Sequence, residues 1–288
     1  MLRLENADLI VEVAAKGAEL VSVYSKQTKL NYLWNADPQF WSRHAPVLFP
    51  IVGKLKNDNY RLKGQVYHLS QHGFARDAEF KCLEATSFTG RYLLRYNEKM
   101  LSVFPFQFEF EITYRLDQSA IRVEYHVVNI GEEMMYFSLG AHPGFICPLR
   151  HTDLFSDYYI QFEFGEALER HLLTDGLFTG KTEPVSLHQN RLKLNELLFE
   201  KDALVFKNLS SQKVYLKSDK HAHGVAVDFA GFPYLGIWKK SQASFICIEP
   251  WYGLADAIGF EGEFNQKEGV CSLDPGNDFL AHFTMYFF

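Results

Sequence analysis

The stretch Phe104-Pro105-Phe106-Gln107-Phe108-Glu109-Phe110-Glu111-Ile112-Thr113-Tyr114-Arg115-Leu116 decides the fold class. Phe106, Phe108, Phe110, Ile112 and Tyr114 fall on one side of an extended chain, and Gln107, Glu109, Glu111 and Thr113 on the other, because successive strand side chains point to opposite faces. The pattern resumes after the turn Asp117-Gln118-Ser119-Ala120 in residues 121–130, and reaches back through 80–86 and 90–98. Residues 80–137 therefore read as a meander of strands. His126 sits inside one of them and His68 inside an earlier one; neither has a clustered partner, and both are read as structural.

Working outward toward the start, residues 8–24 alternate valine and leucine with polar positions around Lys16-Gly17, which predicts a hairpin. Residues 31–60 show no helical period and carry Pro38, Pro46 and Pro50 among aromatics, as expected of an ordered loop layer lying over a sheet. A further strand pair around Lys63-Gly64 ends in Gln71-His72-Gly73-Phe74-Ala75-Arg76. Toward the C-terminus the periodicity weakens over 149–200, where residues 190–200 fit a short helix or a strand lead-in equally well. Strands resume at 203–208, 213–217, twice within 224–238 around Gly231 and Pro233, at 244–253 and at 279–288. No internal repeat, low-complexity tract or composition break calls for a cut, so a single all-β domain over residues 1–288 is expected.

Composition agrees. Hydrophobic residues make up 47% of the 288 and aromatics 16%, including 26 Phe and 15 Tyr, which supplies a large core and favours strands. A net charge of -6 offers neither a basic footprint for nucleic acid nor a polybasic membrane patch, and points to a small or neutral ligand. No apolar run approaches the roughly 18 residues of a membrane span, and the first residues lack a signal pattern. Cys82, Cys147, Cys247 and Cys271 are widely spaced, form no CxxC pair and sit in mostly apolar neighbourhoods; they are read as reduced core thiols of a cytoplasmic protein.

The chemistry is expected at Ser138-Leu139-Gly140-Ala141-His142-Pro143-Gly144-Phe145, where one imidazole stands among small and apolar residues. Pro143 biases His142 toward extended backbone, and Gly140 and Gly144 remove bulk so that a ligand can approach the main chain. Glu249 closes the apolar run Phe245-Ile246-Cys247-Ile248 and precedes Pro250; partial burial would raise its pKa and improve it as a base near neutrality. His72 and Arg76, with Arg43 and Lys54 in the loop layer, are donors suited to hydroxyl pairs, carboxylates or a phosphate. Asp202 precedes a strand and fits a turn cap as well as a ligand, while Trp41 and Trp251 fit either sugar stacking or core packing. His221 and His223 of the HAH triplet, beside Asp219 and Lys220, are read as a solvated turn rather than a metal site. No GxSxG elbow, Walker loop, GxGxxG fingerprint or HExxH helix is present.

The ordered set FPFQFEFEITYRL, VEYHVVN, MYFSLGAHPGF, GIW and CIEPWYGLAD resembles the aldose 1-epimerases, or mutarotases, in their LacX-like branch, nearly end to end. The resemblance implies a galactose mutarotase-like β-supersandwich, no cofactor and no metal, and a monosaccharide or sugar-phosphate substrate in an open cleft on one sheet. It makes His142 the general acid and Glu249 the general base, on opposite sides of the reacting bond, with His72, Asp202 and Arg76 as hydroxyl ligands and Trp251 beside them. Galactose-type members carry a glutamine-containing segment after the glutamate, whereas this chain has Pro250-Trp251-Tyr252-Gly253; Arg43 and Lys54 keep a phosphosugar open. The chemistry suits these residue types: opening the hemiacetal takes a proton from the C1 hydroxyl and gives one to the ring oxygen, which an ionised glutamate and a protonated histidine supply near neutrality. Three other readings compete. A sugar sensor or carbohydrate-binding module would keep the cleft without the reaction. A metal enzyme would use His72, His142 and a histidine of HAH, and a glycosidase would need a second carboxylate flanking the bond.

Overall fold

In the computed structural model, which describes residues 1–288, the chain is built of strands, with one short α-helix, Glu98–Leu101, and a few 3-10 turns. The aromatic stretch supplies an interior strand, third from one edge, of a nine-stranded antiparallel sheet. Strand Phe108–Asp117 pairs without a register shift with Ala120–Asn129, Tyr114 opposite Val123 and Phe110 opposite Val127. The sheet runs in the order 191–193, 158–162, 213–218, 225–228, 278–287, 120–129, 108–117, 89–95, 81–85. Phe108, Phe110 and Ile112 are fully buried, each phenylalanine worth roughly 1.5–3 kcal/mol of apolar burial. Thr113, expected on the outer face, is also buried.

A second sheet orders 204–207, 234–238, 245–252, 139–141 and 47–48, and Gly144–Ile146 also pairs with the Phe245–Tyr252 strand. The two sheets share one apolar core of 62 residues. Period two divides the Phe245–Tyr252 strand: Ile246 and Ile248 enter that core, while Phe245, Cys247 and Trp251 join smaller apolar clusters on the opposite face. Leu235 and Ile237, Leu204 and Phe206 likewise point inward. Both faces of this sheet are therefore covered, which is why the run around Glu249 is apolar throughout instead of alternating.

The loop layer is held as a unit. Trp34 Nε1 donates to the Trp41 carbonyl (2.8 Å), and Glu19 accepts from the amides of His44 (2.7 Å) and Ala45 (2.9 Å). The hairpin at Leu9–Val13 and Leu20–Ser25 is present and gains a third strand, Leu2–Glu5. Residues 149–200 hold more order than their sequence announces: strand Tyr158–Phe162, and a hairpin of Leu168–Thr174 with Leu177–Val185 that buries only Leu168 and Phe178 and so carries little alternation. Residues 190–200 contain both expected alternatives, strand Arg191–Lys193 and then a 3-10 turn at Glu196–Phe199 whose Leu198 amide donates to the Asn195 side chain. The cysteine reading is corrected in part. All four are unpaired, but Cys82 is exposed on edge strand Lys81–Ala85 and Cys271 is half-buried; only Cys147 and Cys247 are core thiols.

Candidate active site

On the outer face of the six-stranded sheet, a cavity of about 290 Å³ opens between the loop layer and the Leu168–Val185 hairpin. The sheet contributes Val205, Trp238, Glu249 and Trp251, the loops contribute Trp41, Pro46, Gly53, His72 and Arg76, and the hairpin contributes Leu173, Gly176 and Phe178. Its volume suits one small ligand.

His142 leaves strand Leu139–Ala141 with its amide donating to the Pro46 carbonyl (3.1 Å). The imidazole lies against Trp41, ring centres 4.9 Å apart, and meets Trp238 and His72 edge-on at 5.7 and 5.5 Å. The flanking glycines serve these rings, not a ligand. A Cβ on Gly144 would stand 2.9 Å from Trp41, and one on Gly140 2.7 Å from Trp251. The glycine bulk that sequence reasoning removed for substrate is thus taken up by indole.

Glu249 alternates out of the core onto the cavity face and is only 1% exposed. His142 Nε2 stands 3.1 Å from Glu249 Oε2, yet neither carboxylate oxygen nor His142 Nδ1 has a hydrogen-bond partner. Nε2 is not aimed along that short line, so the contact is not a hydrogen bond. This geometry corrects two expectations. The pair does not face across the hollow but stands in contact at one side of it. Nor does it rest as imidazolium and carboxylate: burial drives the Glu249 carboxyl well above the usual carboxylate range, and the Trp251 indole N–H, near the carboxylate but outside hydrogen-bond geometry, only partly offsets this. Burial likewise drives the His142 imidazole down to about 3. Together they rest neutral, holding one transferable proton between them.

His72 is a neutral imidazole, held far below its ordinary pKa by burial and then by nearby His142, Arg76 and Arg43. The Gly53 amide donates to its Nδ1 (3.1 Å), which leaves the proton on Nε2. Arg76 donates through Nη2 to the Gln71 carbonyl (2.6 Å), its Nε makes no hydrogen bond and lies 3.8 Å from Asp77 Oδ2, and burial beside Arg43 lowers its pKa to about 10. Asp202 lines the cavity at a left-handed φ of 72°, its carboxylate accepting the Ala203 amide (2.8 Å), so the cap and the lining position are both realised. Arg43 and Lys54 do not reach the cavity lining. Arg43 pairs with Asp77 (3.0 Å), and Lys54 Nζ donates to the Asp175 carbonyl (3.3 Å).

Leu173, Gly176 and Phe178 were not expected from sequence. The available signal was Asp175-Gly176, both at positive φ, a two-residue turn chemistry that marks a tight hairpin. The HAH reading is also corrected. His221 is a buried side chain whose Nε2 meets Tyr158 Oη (2.8 Å) and Asp153 Oδ2 (3.0 Å), and its Nδ1 accepts the His223 amide (3.2 Å). Neither it nor His223 joins His72 and His142 in a ligand cluster, so the set that the competing metal-enzyme reading needs is not assembled. A different trio, His142, Cys247 and Glu249, brings its ligand atoms within 4.8 Å of one another. Burial holds the Cys247 thiol well above its ordinary pKa, so ligation there would first have to remove a proton.

A model of the aldose 1-epimerase family matches residues 1–272. The chain belongs to the aldose 1-epimerase family. Protein LacX (chromosomal) of Lactococcus lactis subsp. lactis is 36% identical over 284 residues, which is 95% of either chain. Among solved structures, a galactose mutarotase related enzyme from Lactobacillus acidophilus superposes with a TM-score of 0.95 at 38% identity, covering 99% of this chain and 96% of its own. A galactose mutarotase-like protein from Lactobacillus casei ATCC 334 gives 0.95 at 33% identity, with both chains covered in full. The family's galactose mutarotase-like fold is therefore the fold of this chain, as its sequence segments implied.

Proposed function

We propose that the chain interconverts the α and β anomers of a free hexose, with His142 and Glu249 as its acid and base. The observation that carries this reading is the contact pair itself: a carboxyl with no hydrogen-bond partner beside an imidazole, at the wall of a cavity sized for one small molecule. Buried polar groups are normally satisfied, and these are not until something enters.

The reaction follows from the shared proton. Sugar hydroxyls entering the cavity supply the hydrogen bonds the carboxylate lacks, which favours its ionised form, and its proton passes to the bare Nε2 of His142 as the ring turns into line with the 3.1 Å contact. Glu249 then takes the proton of the C1 hydroxyl while His142 gives its own to the ring oxygen. The bond from C1 to the ring oxygen breaks, leaving the open aldehyde. Rotation about C1–C2 and the reverse transfers close the other anomer, and the pair ends with the one proton it began with. His72 Nε2, Arg76 and Asp202 line the cavity and in this reading hold ring hydroxyls, while Trp41, Trp238, Trp251 and Phe178 take the C–H surfaces.

A neutral sugar is favoured over a phosphorylated one because Arg76 is the only cationic side chain in the lining, opposed there by Asp202. The test is polarimetry or NMR on freshly dissolved α-glucose and α-galactose, each with and without a 6-phosphate. Acceleration of the free sugars is expected. Acceleration of neither form would end the reading, and calorimetric sugar binding without anomer exchange would identify a carbohydrate-binding protein instead.

A further inference from the structure

Behind the cavity wall, Asp256 and Lys267 form an ion pair, Oδ1 to Nζ 2.9 Å, with side chains 4% and 2% exposed. A buried pair is weak support for stability in its own right, since desolvation consumes much of the attraction. What distinguishes this one is where the rest of Asp256 is tied. Its amide donates to the Lys54 carbonyl (2.9 Å), its Oδ2 accepts the Lys56 amide (2.8 Å), and its carbonyl accepts the Phe178 amide (2.9 Å). One residue thus clamps the loop that begins at Gly53 and the hairpin residue that lines the opposite wall.

The loop end is the functional one. Gly53 lies flat on Ala255, the neighbour of Asp256: at φ 74°, an added Cβ would come within 2.9 Å of the Ala255 backbone nitrogen. Gly53 and His72 exchange two bonds, the Gly53 amide to His72 Nδ1 (3.1 Å) and the His72 amide to the Gly53 carbonyl (2.9 Å). His72 itself is held at a left-handed φ of 67°, a conformation that persists only where the surroundings enforce it.

We infer that Asp256 is a positioning residue: by clamping Lys54 and Lys56 it seats the Gly53 amide on His72 Nδ1, so that His72 presents Nε2–H to a sugar oxygen. Lys267 pairs with Oδ1 and so keeps the carboxylate turned with Oδ2 facing Lys56. The kinetic part of this inference rests on the proposed function; the tautomer part does not.

The experiment is a pair of double variants, each free of an unpaired buried charge, compared with the unaltered protein. In ¹H–¹⁵N spectra of histidine-labelled protein, with the His72 signals assigned through His72→Gln, the unaltered protein should show His72 as the Nε2–H tautomer. Asp256→Asn/Lys267→Met keeps an oxygen for the Lys56 amide and should retain both that tautomer and the hexose KM. Asp256→Ala/Lys267→Met has no acceptor; it should show mixed tautomers and a KM raised about tenfold, the size of one lost hydrogen bond, with kcat changed far less. A different His72 tautomer in the unaltered protein overturns the inference. So does an alanine double variant with His72 and KM unchanged, or an asparagine double variant that loses as much. If the unaltered protein accelerates no sugar, the proposed function fails while the tautomer comparison still decides the role of Asp256.

Discussion

His142 Nε2 stands 3.1 Å from Glu249, and His221 Nε2 stands 3.0 Å from Asp153. Both pairs are buried, and distance alone does not tell them apart. Satisfaction does. Around Asp153 the Tyr158 hydroxyl and His221 both bond the carboxylate, Tyr158 also accepts the Leu149 amide (2.9 Å), and the second His221 nitrogen is taken by the His223 amide. Burial would raise the Asp153 carboxyl, but the bonds from Tyr158 and His221 outweigh it and hold it below its ordinary pKa. Around Glu249 nothing outweighs burial, and the carboxyl goes the other way. The first pair is a finished network; the second is complete only with a ligand present.

Substitution should break the comparison most visibly in catalysis. Glu249→Gln and His142→Ala should each lower kcat/KM by about 10²- to 10⁴-fold, and the double variant should lose little more than either, because the two share one proton and act as a unit. His221→Ala, read by the same anomer-exchange assay, should keep kcat/KM within about threefold of the parent, since its partners Tyr158, Asp153 and His223 all lie outside the cavity lining.

The pH profile gives the next largest separation. Because burial lowers the His142 pKa to about 3, the active one-proton pair should persist far below the usual histidine range. kcat/KM should stay level from neutrality down to roughly pH 4 and fall only as the pH nears that value, whereas an ordinary solvated histidine acid would give a break near ~6.5. A limb at the ordinary position would mean that the pair does not rest neutral.

The fold was legible where one face of a strand is wet and the other dry. Phe106 to Tyr114 announced a sheet because their neighbours in sequence are polar, and the aromatic count matched the core they form. Strand Tyr158–Phe162 was lost in a polar, turn-rich surround, and the hairpin at 168–185 keeps few residues buried, so burial imposed no period to read. Among the site residues, His142 and Glu249 stood out as titratable groups in apolar company, which is a local property of sequence. Contact between them is not local: it depends on Gly144 pairing with Cys247 and Gly140 with Trp251, a registry set by two strands a hundred residues apart. The misreading of HAH has the same origin, because the residues that bury His221 are Asp153 and Tyr158, and its sequence neighbours Asp219 and Lys220 suggested water.

Stability should invert the ranking seen in catalysis. The folded state holds the Glu249 proton more tightly than the unfolded chain, so the stability that proton confers is complete below the unfolded pKa and is lost as pH rises through the raised folded one. Glu249→Gln, neutral at every pH, should therefore match the parent in thermal unfolding near pH 4 and exceed it at pH 8. His221→Ala should lose about 1–3 kcal/mol at neutral pH, the cost of leaving a buried acceptor unmet. A destabilised Glu249→Gln at pH 8 would mean that the carboxyl has a partner after all.

The smallest effects are expected of Arg43 and Lys54, and they sharpen which charges belong to the site. Arg43 turns to Asp77 and Lys54 to the Asp175 carbonyl, partners outside the cavity lining. A partly exposed ion pair contributes about 0–1 kcal/mol and an exposed lysine-to-carbonyl bond no more, so Arg43→Ala and Lys54→Ala should each change the hexose kcat/KM by less than about threefold. Arg43 also adds to the positive potential that holds the pKa values of His142, His72 and Arg76 down, leaving the two imidazoles neutral and Arg76 still charged. Its loss should therefore move the acid limb of the pH profile upward by a small amount, while loss of Lys54 should leave the limb in place. A tenfold fall for a 6-phosphorylated hexose, with the free hexose unaffected, would show instead that these cations turn inward when a phosphate arrives, and would move the substrate from the neutral to the phosphorylated class.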